Sequence, residues 1–161
     1  MSNKERSRPR SLVRKRLALL IAAAAPLAAC VIDVPGHLYP VQGPLATHGP
    51  APIYTLHISG ILTSGNVSAT LGGGESCRGN WSKVPQDDPN AAVMSADWDR
   101  VYGAGFFTAN VLGNPVFARA SLGCQQGTTL GIQFYLQVPG QIRSARGVAE
   151  DSKGNLYKLT F

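Results

Sequence analysis

The sequence is poor in the residues that usually carry chemistry, with three cysteines and three histidines among 161 positions. Cys30, Cys77 and Cys124 stand far apart, so the paired spacing of a zinc site is missing. His37 and His48 lie in a proline-rich strip, where a flexible pair holds metal only weakly. His57 stands alone on an alternating stretch, the usual position of a surface histidine. There is no Gly-x-Ser-x-Gly elbow, no phosphate loop and no His-Glu-x-x-His motif. Asp87, Asp88, Asp97 and Asp99 crowd together, but they do not form an Asp-x-Asp-x-Asp-Gly calcium loop. Glu75 and Asp151 could be picked out as a hydrolytic acid pair, yet two acids can be picked in almost any chain. Glu75 reads more simply as a polar residue of a turn. No catalytic residue, cofactor site or metal site follows from these patterns, and the chain reads as a non-enzyme.

Long apolar runs are also missing. The longest uncharged apolar run, Leu17 to Ala29, falls short of the roughly 20 residues that span a bilayer, and Pro26 interrupts it. Before it stand Lys4, Arg6, Arg8, Arg10, Arg14, Lys15 and Arg16 against Glu5 alone. After it come small residues and Cys30. Basic head, apolar middle and small-residue end are the parts of a secretory signal. Residues 1–29 are therefore expected to be removed.

That removal changes the charge. The formal value of +6 comes from 15 Lys and Arg against nine acids. Seven of those bases and one acid precede residue 30, which leaves eight of each in 30–161. A neutral chain carries no basic patch for nucleic acid. The remaining 132 residues suit one domain with a real core.

Leu27-Ala28-Ala29-Cys30 resembles the lipobox of bacterial lipoproteins. The resemblance implies a diacylglyceryl group on the Cys30 thiol and cleavage just before it. Asp after that cysteine often retains such proteins at the inner membrane. Val31 stands there instead, and the resemblance then favours the outer membrane. The membrane is thus one expected partner, through the N-terminal lipid, and an envelope protein is a possible second. In that oxidising compartment Cys77 and Cys124 are expected to pair, which also removes Cys77 as a nucleophile.

Residues 30–52 carry Pro35, Pro40, Pro44, Pro50 and Pro52, and read as an extended, semi-stiff tether. Part of it, around Tyr39–Leu45, could lie along the domain as an edge strand. From Ile53 the apolar period is two, the signature of strands. Tyr54, Leu56 and Ile58 share a face, as do Val67, Ala69 and Leu71. Gly72-Gly73-Gly74 turns the chain. Cys77, Gly79 and Trp81 then point inward, with Arg78, Asn80 and Ser82 outward. Asp88-Pro89 suggests the start of a short helix over Ala91–Ala96. Phe107, Ala109 and Val111 read as a further strand. Val116, Ala118, Ala120 and Leu122 face in along the next. Leu130, Ile132, Phe134, Leu136 and Val138 alternate most cleanly, up to Pro139-Gly140. A last hairpin runs through Gly147–Glu150 and a turn at Asp151–Gly154 to Tyr157, Leu159 and Phe161. Phe106, Phe117 and Tyr135 fall on outward faces, as a partner patch or under a second layer.

The unit Gly65-x-Val67…Gly74-Glu75-x-Cys77-x-Gly79-x-Trp81 loosely resembles a MORN-type hairpin repeat, with Cys77 where that pattern has Tyr. Gly74–Trp81 and Gly147–Lys158 also resemble stretches of small bacterial envelope lipoproteins of uncharacterised function, a resemblance that implies no activity. The expected fold is all-β: an antiparallel sandwich or barrel of about seven to nine strands, built from hairpins, with at most one short helix. Residues 53–161 are expected to form that domain by themselves. The expected role is a lipid-anchored, non-catalytic envelope lipoprotein acting in structure or interaction. The alternative is a small-ligand or inhibitor-type binding barrel.

Overall fold

The computed structural model describes residues 32–47, 50–61, 63–135 and 145–161. The leader, Cys30, His48 and the expected strand end at Leu136 and Val138 lie outside these residues. Eight antiparallel strands close into a barrel, each paired with the next in sequence and the last with the first. They are β1 (Ile32–Gln42), β2 (Tyr54–Ile61), β3 (Ser64–Thr70), β4 (Ser76–Lys83), β5 (Phe117–Cys124), β6 (Thr129–Tyr135), β7 (Arg146–Asp151) and β8 (Leu156–Thr160). Of the two expected architectures, the chain adopts the barrel.

Ile32–Gln42 of the expected tether, overlapping the Tyr39–Leu45 stretch expected as an edge strand, is a barrel strand, and Pro44–Thr47 is a short helix. β1 pairs with β2 over Ile32–Leu38 and with β8 over His37–Gln42. Its prolines obscured it, and the pairing shows how they are accommodated. Pro35 precedes the stretch that meets β8, so one edge of the backbone is open there, and Pro40 sits beside a register shift. Both are positions where a missing N–H is tolerated. The domain thus includes Ile32–Gln42 and does not begin at residue 53.

Following paired residues once around the barrel leads from Ile32 through Gly60, Gly65, Trp81, Ala120, Ile132, Ala149 and Tyr157 to Pro40. The circuit returns eight residues further along β1. Eight strands with this stagger leave an interior just wide enough for side chains. Leu38, Leu56, Ile58, Val67, Leu122, Leu130, Ile132 and Leu159 fill it, none more than 3% exposed. Aromatic rings fit because glycines face them. A Cβ at Gly65 would stand 2.7 Å from the Trp81 ring nitrogen, and one at Gly36 would stand 3.1 Å from the Phe161 ring. Trp81 meets Phe134 edge-on at 5.7 Å and donates from Nε1 to the Ser59 carbonyl at 3.0 Å.

The connection from β4 to β5 is a long excursion that covers one outer face. Its helix spans Ser95–Tyr102, later than the expected Ala91–Ala96. Asp88 does not cap it: its carboxylate accepts from the Asn90 N–H at 2.8 Å, closing a local turn. Phe107–Val111, expected as a strand, is a π-helical turn. Phe107 and Val111 are both buried, four positions apart on one helical face. This cover packs Trp98, Phe107 and Val111 against Phe117, Tyr135 and Val148 on the outside of the barrel. The outward aromatics Phe117 and Tyr135 therefore lie under a second layer, one that is helical rather than a sheet.

Candidate functional site

Cys77 and Cys124 are direct ladder partners on β4 and β5. The Gln125 N–H donates to the Ser76 carbonyl at 3.1 Å beside them, so theirs is the closer, non-hydrogen-bonded kind of pair. The two sulfurs are bonded and the Cα atoms are 3.9 Å apart. The bond joins the two strands that the excursion separates.

The outer face over β1 to β4 is polar and open. One rung across it carries Pro35, His57, Ser68 and Arg78. The neighbouring rung carries Ser59, Asn66 and Asn80. Period two forces this arrangement, because the residues between them point into the core. A depression of about 580 Å³ lies over His57, Asn66, Ser68, Arg78 and Asn80. A second, of about 380 Å³, shares His57, Ser68 and Arg78 and extends over Thr55, Thr70 and Ser76. Hydroxyls, amides, an imidazole and a guanidinium make this a hydrogen-bonding surface.

Asp33, diagonal to His57 across the β1–β2 ladder, accepts from its Nε2 at 2.6 Å. Asp, His and Ser thus stand close together on the surface. A catalytic triad, however, orients its histidine with a buried carboxylate. Here the Asp33 side chain is 66% exposed and that of His57 50%. The pair is an exposed surface contact, one that sequence reasoning missed because Asp33 fell within the supposed tether. His37 also lies on an outer face, 6.3 Å from the Tyr39 ring.

Glu75 and Asp151 do come together, at the end of the barrel where the β3–β4, β5–β6 and β7–β8 turns meet. Neither is free to act on a substrate. Glu75 is buried and accepts from the Gln126 N–H at 3.1 Å, the Thr128 hydroxyl at 3.0 Å and the Lys153 ammonium at 3.4 Å. Burial alone would raise its carboxyl, but the bonds from Thr128, Gln126 and Lys153 outweigh it and hold the group below the usual range. A general acid of a glycosidase needs the opposite shift. Nor is Glu75 a simple polar turn residue, since it ties three turns together.

Asp151 accepts from the Lys153 N–H at 2.9 Å, the Asn155 N–H at 2.9 Å and the Tyr157 hydroxyl at 2.7 Å. Burial, then the bond to Asp151, pushes the Tyr157 hydroxyl well above its ordinary value. Asn155 in turn accepts from the Leu45 N–H at 2.9 Å, which fixes the β1–β2 connection to the same end.

The four clustered aspartates do not share a site. Asp88 faces Arg119 at 3.6 Å. Asp97 is buried and bonded to Arg100; burial pushes its carboxyl up in spite of that partner. Asp99 accepts from the Phe107 and Gly105 N–H groups, both at 3.0 Å. Those bonds hold its carboxyl down and cap the π-helical turn. Asp87 is exposed. Among the described residues no three His, Cys, Asp or Glu side chains gather as metal ligands.

Under the cover, Trp98 is fully buried and donates from Nε1 to Gln133 Oε1 at 2.9 Å. Tyr102 and Phe106 stack on it. The Tyr102 hydroxyl stands 3.0 Å from the Gly147 carbonyl and 3.2 Å from that of Leu159, and burial pushes it up to about 12. This aromatic seam joins the cover to the barrel, and it leaves the polar face over β1 to β4 as the candidate contact surface. No protein family, curated protein or solved structure matches the chain.

Proposed function

We propose that this chain is a lipid-anchored protein of the cell envelope, held through Cys30 and working by surface contact rather than by catalysis. The observation that carries the reading is the filled barrel. Its interior positions are taken by its own side chains, from Leu38 to Leu159, and a barrel of this stagger has no room to spare. That weighs against the ligand-carrying alternative and turns attention to the outside. The polar face around His57, Ser68 and Arg78 suits a partner that offers hydrogen bonds and an acidic group. The leader and the lipobox-like Leu27–Cys30 support the anchor, and Val31 supports the outer membrane facing the periplasm.

Two measurements test this. A metabolically supplied fatty acid should label the wild type and leave Cys30→Ser unlabelled; equal labelling removes the anchor. An apolar fluorescent probe should show no saturable one-to-one uptake by the purified barrel. Saturable uptake would replace surface contact with ligand carriage.

A further inference from the structure

We propose that the barrel stands directly on the bilayer, with one defined end against the lipid headgroups. The inference rests on the lipid anchor at Cys30 and adds the orientation of the domain. A tether through residue 52 would let the domain turn freely. The structure gives Ile32–Gln42 of that stretch to β1, which is already paired at Ile32. Only Val31 separates Cys30 from that first paired residue. Two steps of chain reach about 7 Å at most, so a lipid on Cys30 brings the Ile32 end of the barrel to the membrane.

The register identifies what else lies at that end. Ile32 pairs with Gly60, beside Ile61 and the β2–β3 turn. The Lys83 N–H donates to the Thr63 carbonyl at 2.8 Å, which brings the end of β4 to the same rim. Ile61 is 49% exposed, an apolar side chain left open among the described residues. Thr63, Ser64 and Lys83 are exposed beside it. An exposed apolar residue beside hydroxyls and a lysine suits the headgroup boundary, where the apolar stem enters and the ammonium stays in water. The opposite end holds Glu75, Asp151 and their turns. Eight residues of tilted strand place it about 20 Å away. The polar face around His57 and Arg78 then lies on the flank, open sideways to a partner above the membrane.

The test uses the full, processed protein in vesicles of phosphatidylethanolamine and phosphatidylglycerol that carry a headgroup-attached quencher. An environment-sensitive fluorescent residue replaces either Thr63 or Gln126, whose side chain is exposed at the far end. The probe at 63 should lose most of its fluorescence and the probe at 126 little. A spacer of about twelve Gly and Ser residues between Val31 and Ile32 reaches about 19 Å and should erase the difference. Equal quenching at both sites without the spacer, or stronger quenching at 126, overturns the orientation. Fatty-acid label is scored in the same samples. Labelled protein with equal quenching sinks the orientation alone, whereas unlabelled protein sinks the anchor and the orientation with it.

Discussion

Glu75 shows how one buried carboxylate can close a barrel end. Its three donors come from Gln126, Thr128 and Lys153, so one side chain holds the turns of three hairpins. Its folded pKa lies below the unfolded value, so the native state binds fewer protons. The resulting stability is present above the ordinary glutamate range, near pH 4.3, and is lost as pH falls through the lower folded value. Glu75→Gln keeps the shape and removes the charge. Its melting temperature should fall below wild type at pH 7, and the two should converge in acid. A constant gap across that range would show that the charge contributes nothing. Tyr157→Phe removes a donor to Asp151 from the same end. A buried hydrogen bond to a charged group contributes about 1.5–3 kcal/mol, and urea unfolding should show a loss of that order.

At the scale of elements, the cover and the disulfide solve one problem. β4 and β5 must pair although the chain runs from Val84 to Val116 between them. The Cys77–Cys124 bond closes that loop, 47 residues in separation, and by chain entropy contributes about 4 kcal/mol. Replacing both cysteines with alanine should lower the urea midpoint accordingly; an unchanged midpoint would place the stability in the cover alone. Trp98→Ala should cost about 3–5 kcal/mol, and removing its Nε1 donor also leaves the Gln133 side chain with less to bond. The strands of this region were legible because Ala118, Ala120 and Leu122 alternate with Arg119 and Ser121. The cover was not. Phe107, Ala109 and Val111 match a strand by period two, while the buried pair Phe107 and Val111 matches a helix, and a five-residue stretch satisfies both. Asp99 decides between them by capping the turn, a contact that no spacing announces. The role of Glu75 was hidden for a related reason, since its partners Gln126, Thr128 and Lys153 come from turns distant in sequence.

For the whole molecule, closure depends on β1. Residues 53–161 contain every clearly alternating segment and lack the strand that joins the first of them to the last. Without β1, β2 and β8 would be open edges, which invite pairing with other chains. The core would also lose Leu38, fully buried among Leu56, Tyr157 and Leu159. A chain starting at Ile32 should therefore give a β-rich circular dichroism spectrum and one cooperative melt at micromolar concentration. A chain starting at Ile53 should melt without cooperativity or sediment as aggregates. Adding a peptide of residues 32–42 in trans should restore cooperativity in part, because the ladder positions on β2 and β8 remain available. A monomeric, cooperative melt from the chain starting at Ile53 would show that seven strands can close without the eighth. It would return the proline-rich stretch to the role of a tether, and the barrel's seat on the membrane would then lose its fixed end.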